Sequence, residues 1–134
     1  MSAGRGCTPL ESAQARDWVR RPVGIIFWWV IPLALGMSTN WWHQPLEQTA
    51  LVWAVSLAWM GTGCTLNALR CRRRHCFISG PVLLLGAIAA GLVALGVLPS
   101  GNALGEAVNG TLAVAASSFL SECLWGVYAG MKTQ

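Results

Sequence analysis

The chain has 134 residues, of which 54% are hydrophobic and 10% are charged. Because a soluble domain carries roughly 25% charged residues, this composition argues against a soluble globular protein and favours a membrane protein. The net charge of +4 does not indicate nucleic-acid binding, since the basic residues lie in two clusters that flank apolar segments, as the residues that orient membrane proteins do.

The tryptophans and cysteines fit the same class. Eight tryptophans are expected in a membrane protein, because indole rings favour the bilayer interface. Five cysteines is an odd number, and the chain does not have the pattern of a small secreted disulfide scaffold. Cysteines close to cytoplasmic basic loops should be free thiols, because that compartment is reducing.

The polar segment 1–22 is predicted to be cytoplasmic, either as a disordered tail or as a short helix on the membrane surface. Thr8 and Glu11 have the spacing of a capping box, and Pro9 suits the first helical position. If this helix forms, Trp18 is expected to face the bilayer.

Residues 23–131 are predicted to form one domain of four transmembrane helices, so the expected fold is an all-α membrane protein. The predicted spans are about 23–40, 49–69, 81–98 and 108–131. Since about 20 apolar residues cross a bilayer, the first span is short, with an apolar core of only ~15 residues. A cleaved signal peptide is the alternative for this segment.

The loop between the second and third spans carries Arg70, Arg72, Arg73 and Arg74 and determines the predicted topology. With four spans, this loop, the N-terminal tail and the C-terminus lie on one side, and all nine Lys and Arg residues fall on that side. The positive-inside rule therefore places both termini and this loop in the cytoplasm. We expect a multi-pass protein of a bacterial inner membrane.

The same loop contains three side chains that can ligate a metal, Cys71, His75 and Cys76. Thiolates and imidazole suit Zn(II), Cu(I) or Hg(II). The adjacent arginines favour the thiolate form, and so does the N-terminus of the third span, which Ser79 is expected to cap and Pro81 to open. The spacing is not that of a standard zinc site, and a fourth ligand would have to come from elsewhere. Alternatively, the cysteines are apolar filling residues and the arginines only set the topology.

Two further cysteines lie within the predicted spans. Cys64 precedes Cys71 by two helical turns and should lie roughly 10 Å deeper in the membrane. Cys123 should lie ~14 Å from the cytoplasmic end of the last span. Either they extend the ligand set into the membrane, or they only pack, as buried free cysteine usually does.

Glu122 is an ionisable residue within a predicted span, which is energetically costly and indicates a functional site. Its candidate roles are proton carrier, metal ligand and counter-ion to a loop arginine. The alternative is a protonated side chain that joins helices by a hydrogen bond to Ser118 or Asn67.

The chain is not expected to be an enzyme. The sequence contains no H-E-x-x-H, P-loop or dinucleotide-binding motif, and no second carboxylate lies near Glu122. His43 and Glu47 lie four residues apart in an outer loop, where we expect a solvated pair rather than an ion site.

The run from Asn67 to Pro81, N-A-L-R-C-R-R-R-H-C-F-I-S-G-P, resembles a motif of small, uncharacterised bacterial integral membrane proteins, N-A-x-R-C-x-R-x-H-C-Y/F-x-S/T-G-P. The general plan is also similar to that of bacterial mercury-resistance inner-membrane transporters, which are small helical proteins with cysteine pairs facing the cytoplasm. The adjacent Cys-Cys pair of their first helix is absent, since residues 23–37 contain no cysteine. This second likeness is one of chemistry and size.

We therefore expect the protein to bind or transport a thiophilic metal ion, with Hg(II) ahead of Cu(I) and Zn(II), because Hg(II) needs only two thiolates. The ion would move between Cys64 or Cys123 and the pair Cys71 and Cys76. Two alternatives stay open, a non-catalytic accessory subunit of a larger membrane complex and a membrane thiol redox protein. Expected partners are the lipid bilayer and either another membrane protein or a second copy of the chain.

Overall fold

The computed structural model of the protein describes residues 9–18, 21–41, 44–99 and 102–128. These residues form helices and no β-strand. The helices are α1 (Pro9–Arg16), α2 (Pro22–Ile25), α3 (Ile31–Ser38), α4 (Leu46–Cys71), α5 (Arg74–Ala94), α6 (Ala103–Ser117) and α7 (Leu120–Trp125). A π-helical segment, Ile26–Val30, joins α2 to α3, so Pro22–Ser38 is one apolar helix. His43 lies outside the described residues.

Three segments are long and apolar enough to cross a membrane, namely Leu46–Cys71, Arg74–Ala94 and Ala103–Leu124. The helix Pro22–Ser38 is shorter than these three. The prediction of an all-helical chain with segments suited to a membrane is therefore confirmed.

The helices α4 and α5 form the central hairpin, and Leu57, Met60 and Leu83 lie fully buried in its core. Small residues allow close approach of the two helices. A Cβ atom on Gly80 would lie 2.6 Å from the Thr65 hydroxyl oxygen. The turn between α4 and α5 consists of Arg72 and Arg73. The backbone of Arg72 has a left-handed conformation, with φ of 56°.

The predicted helix start at Ser79 and Pro81 is wrong. The helix α5 begins at Arg74, and Pro81 lies in its interior. Ser79 is consequently not an N-cap, and its hydroxyl donates to the carbonyl of His75 at 2.8 Å. Packing against α4 allows the helix to extend through the proline, because membrane helices tolerate an interior proline when neighbouring groups satisfy the freed carbonyls.

The helix Pro22–Ser38 lies along α4 in the opposite direction. Near the end of α4, a Cβ on Gly63 would lie 2.5 Å from the Trp28 ring, and nearer its start a Cβ on Gly36 would lie 2.8 Å from Trp53. Trp28 also stacks on Trp18, with ring centroids 5.4 Å apart. Trp18 therefore packs on another indole of the protein, which differs from the predicted orientation toward lipid.

The last apolar segment is broken. The helix α6 ends at Ser117 and α7 ends at Trp125, after which Gly126 has φ of 82°. The span was predicted to continue to residue 131. Because the helix ends earlier, Glu122 lies close to the end of the segment and at the level of the α4–α5 turn, rather than ~14 Å inside it.

Candidate functional site

A buried polar network lies where the α4–α5 turn meets the N-terminal and C-terminal segments. Its members are Asp17, Asn67, Arg73, His75, Cys76, Glu122 and Tyr128. Asp17 and His75 are 0% exposed and Asn67 is 1% exposed. Buried polar atoms are costly unless they are hydrogen-bonded, so the stability of this region depends on the completeness of the network.

Arg73 is the centre of the network. Its Nη1 atom donates to Asp17 Oδ2 at 2.8 Å, while Nε and Nη2 donate to the two carboxylate oxygens of Glu122 at 2.8 and 3.1 Å. This two-pronged contact is the one that a planar guanidinium makes and a lysine cannot. Glu122 is therefore ion-paired with a loop arginine, which is the arrangement that its predicted counter-ion role requires.

The surroundings keep Arg73 cationic. Burial opposes the charge, but the hydrogen bonds to Glu122 and the negative charge of Asp17 outweigh it and raise the pKa of the guanidinium above its ordinary value. The two carboxylates thus have a permanent positive partner.

Glu122 also positions His75. Its Oε1 atom lies 2.6 Å from His75 Nδ1, and the imidazole stacks on Phe119 with ring centroids 4.1 Å apart. These contacts leave Nε2 facing Cys76 Sγ at 3.3 Å. The oriented imidazole places a proton acceptor beside the thiol, and the thiolate is the form that binds metals or attacks disulfides.

Cys76 is also paired with the thiol of Cys64. The two thiols lie in one buried core cluster and are close enough to interact. Cys64 is 2% exposed and Cys76 is 0% exposed. Because one cysteine belongs to α4 and the other to α5, the pair exists only when the hairpin is packed. We call these two residues the thiol pair.

Asn67 connects the thiol pair to the N-terminal segment. Its Nδ2 atom donates to Asp17 Oδ1 at 3.0 Å and lies 3.6 Å from Cys76 Sγ, while its Oδ1 accepts the backbone N–H of Trp18 at 3.1 Å. The hydroxyl of Tyr128 donates to Asp17 Oδ2 at 3.1 Å. Asp17 and Tyr128 are therefore connected to Cys76 through Asn67.

The remaining cysteines of the predicted ligand set have different surroundings. The Cys71 thiol donates to the carbonyl of Asn67 at 3.0 Å and packs with Ala13 and Tyr128. Cys123 is exposed. The geometry favours Cys64, rather than Cys71 or Cys123, as the partner of Cys76.

The other loop arginines lie outside this network. The Arg70 guanidinium lies over the Trp18 indole, 4.4 Å from the ring centroid. Arg72 is exposed, and the backbone N–H of Arg74 donates to the carbonyl of Val127 at 3.0 Å. The four arginines therefore have different contacts, although in the sequence they form one basic cluster.

Among the residues that the structure describes, no three or more His, Cys, Asp and Glu side chains are arranged to hold a metal ion. A structural zinc site takes four ligands. The thiol pair offers two soft ligands, which suits only a soft cation of low coordination number.

Asp17 and Tyr128 are members of the network that sequence reasoning missed. Asp17 is the only aspartate in the sequence and follows Arg16 beside the basic cluster. A single acidic residue among basic ones is a usable signal for a counter-ion. Tyr128 carries no comparable signal, because its role depends on how the C-terminal segment folds back.

The chain matches no protein-family model, no curated protein and no solved structure. The buried polar network and the thiol pair are therefore the features that bear on its function.

Proposed function

We propose that the protein is a four-span inner-membrane protein, with both termini cytoplasmic, that binds a thiophilic metal ion between Cys64 and Cys76. The single observation that carries this proposal is the burial of the two thiols beside each other in the core of the α4–α5 hairpin. The His75 imidazole beside Cys76 supports it, because the thiol must lose its proton before it can ligate a metal.

The helix Pro22–Ser38 is proposed as the fourth span. It packs antiparallel along the central part of α4, through Trp28 on Gly63 and Gly36 on Trp53. It has the length of the shortest spans, for which about 17 residues are sufficient. A fourth crossing also keeps Asp17 on the same side as Arg73, to which it is ion-paired.

Hg(II) is the best single candidate for the metal. Two thiolates and Hg(II) form a neutral complex, whereas the same thiolates with Cu(I) carry one negative charge. A buried site disfavours a charge that has no partner. Zn(II) would need further ligands, which the thiol pair does not offer.

Equilibrium binding of Hg(II), Cu(I) and Zn(II) to the purified protein in detergent tests this proposal. We expect the wild-type chain to bind Hg(II) in preference to Zn(II). Cys64→Ser and Cys76→Ser should each lose this binding, while the matched variants Cys71→Ser and Cys123→Ser should retain it. Hg(II) affinity that is equal in all four variants would contradict the proposed site.

A second candidate function is thiol redox chemistry. The same contact between two thiols favours it, because Cys64 and Cys76 could close to a disulfide after attack of the Cys76 thiolate on an incoming disulfide and release of two external thiols. The reduction potential of the pair, measured by thiol trapping in glutathione buffers, tests this candidate. A midpoint within the cytoplasmic range would support a redox role, and a pair that stays reduced at all accessible potentials would exclude it.

A further inference from the structure

We propose that the two terminal segments form a closable cap over the buried thiols and that Arg73 is the latch that holds this cap shut. The terminal cap consists of residues 13–18 and 122–128. Its role as a gate for metal rests on the proposed function, whereas its opening is a property of the fold and is measured without metal.

The closed structure gives water no access to the thiols. Cys64, Cys71 and Cys76 are 2%, 1% and 0% exposed. Cys71 packs with one residue from each half of the cap, Ala13 and Tyr128. A reagent that reaches Cys71 from the aqueous side therefore requires the cap to move, and Cys76 is joined to the cap through Asn67 and Asp17.

One side chain of the α4–α5 turn contacts both halves of the cap. Arg73 binds Asp17 of the N-terminal half at 2.8 Å and Glu122 of the C-terminal half at 2.8 and 3.1 Å. The Tyr128 hydroxyl then joins the halves directly, through its hydrogen bond to Asp17 at 3.1 Å. The guanidinium therefore fastens both halves to the α4–α5 turn.

The cap has the properties of a segment that opens locally. Its helices are short, with eight residues in α1 and six in α7. Segments with few buried apolar contacts open at lower free energy than the core. The polar contacts of Arg73 thus supply a large part of the free energy that favours the closed cap, whereas apolar packing stabilises the α4–α5 hairpin.

Loss of Arg73 should favour the open cap. Without the guanidinium, Asp17 and Glu122 would lose the cation that binds both of them, while Glu122 keeps its contact with His75. Removing one partner from a buried ion pair is strongly unfavourable. Opening returns both carboxylates to water and removes this penalty. The core of the hairpin does not depend on these charges and should stay folded.

The test is the rate at which a charged, membrane-impermeant maleimide labels each thiol. The protein is held in permeabilised proteoliposomes, so that the reagent reaches both faces of the membrane, and labelling is measured by mass spectrometry. The background is the full chain with Cys7→Ser and Cys123→Ser, which leaves Cys64, Cys71 and Cys76 as its three thiols. We expect Arg73→Gln to raise the labelling rates of Cys71 and Cys76 by about tenfold or more, the equivalent of about 1.4 kcal/mol in the opening equilibrium. Arg72→Gln is the matched control, since it removes the neighbouring, exposed charge and should leave the rates unchanged.

Equal labelling in Arg73→Gln and Arg72→Gln would overturn the proposal, and so would fast labelling of the unaltered background. If circular dichroism shows that Arg73→Gln has lost its helices, Asp17→Asn decides, because it preserves the side-chain shape and removes one of the two charges on the latch. A rise in labelling in Asp17→Asn supports the latch, and an unchanged rate refutes it. Since no metal is present, a failed cap and a failed metal site are distinguishable.

Discussion

Arg73 and Glu122 are joined by two parallel hydrogen bonds, from Nε to Oε1 at 2.8 Å and from Nη2 to Oε2 at 3.1 Å. One residue lies in the turn of the central hairpin and the other in α7. Because Glu122 Oε1 also contacts His75, this ion pair connects the positioning of the imidazole to the closure of the C-terminal segment.

Replacement of Arg73 by leucine should strongly destabilise the protein. Breaking a buried ion pair by removing one partner costs about 3–5 kcal/mol. Arg73→Lys should cost less, about 1–3 kcal/mol, because the charge remains while the two-pronged contact is lost. Thermal unfolding in detergent should rank the variants in this order, with Arg72→Leu within about 0.5 kcal/mol of wild type. A stability of Arg73→Leu equal to that of Arg72→Leu would show that the network contributes nothing.

Asn67→Leu should also be destabilising, although it adds apolar volume to a membrane protein. The change removes the Asn67 hydrogen bonds to Asp17 Oδ1 and to the Trp18 backbone N–H, at a cost of about 2–4 kcal/mol. Thr65→Val, on the same helix, is the control, because the Thr65 hydroxyl bonds only to its own helix, at Gly61. Chemical unfolding that gave both variants the same stability would argue against Asn67 as the connection to the N-terminal segment.

Gly63→Ala should displace the Trp28 ring. A Cβ atom on Gly63 would lie 2.5 Å from the indole, and overpacking of this kind costs about 1–3 kcal/mol. Gly91→Ala is the matched control, since a Cβ there meets nothing within 4 Å and alanine is the better helix former by roughly 0.5–1 kcal/mol. Tryptophan fluorescence should shift in the first variant only. An unchanged spectrum and melting temperature in Gly63→Ala would contradict the close approach of the helix Pro22–Ser38 to α4.

Reporter fusions test the proposed span number. Fusions at both termini should report the cytoplasm, because the N-terminal segment, through Asp17, and the α4–α5 turn are joined at Arg73. A reporter inserted into the loop at residues 39–45 should report the opposite side. An N-terminal fusion that reports the outer side would mean that Pro22–Ser38 does not cross the membrane.

Much of the helical architecture could be predicted, because bilayer-length apolar segments have a strong sequence signal. The helix boundaries were harder to predict. Ser79 and Pro81 have the residue types of a helix start, yet both lie inside α5. Packing against α4 decides this boundary, and local propensity cannot report packing between segments.

The residue types of the site could be predicted from the sequence, but not which cysteine lies beside Cys76. The sequence singles out Cys76, His75 and Glu122 by type, and all three meet in the structure. Spacing favours Cys71 as the second thiol, whereas the packing of α4 on α5 brings Cys64 to Cys76. The contribution of Asp17 depends on a contact across 56 residues, which no local pattern encodes.

The most direct test of the account is the sulfur coordination of Hg(II) in a variant that keeps only Cys64 and Cys76, made with Cys7→Ser, Cys71→Ser and Cys123→Ser. X-ray absorption at the mercury edge should show one Hg(II) per chain with two sulfur neighbours, as in the wild-type chain. The reciprocal variant, Cys64→Ser with Cys76→Ser, should not hold the ion in this way. Absence of two-sulfur coordination in the first variant, or its persistence in the second, would contradict the claim that the thiol pair is the metal site.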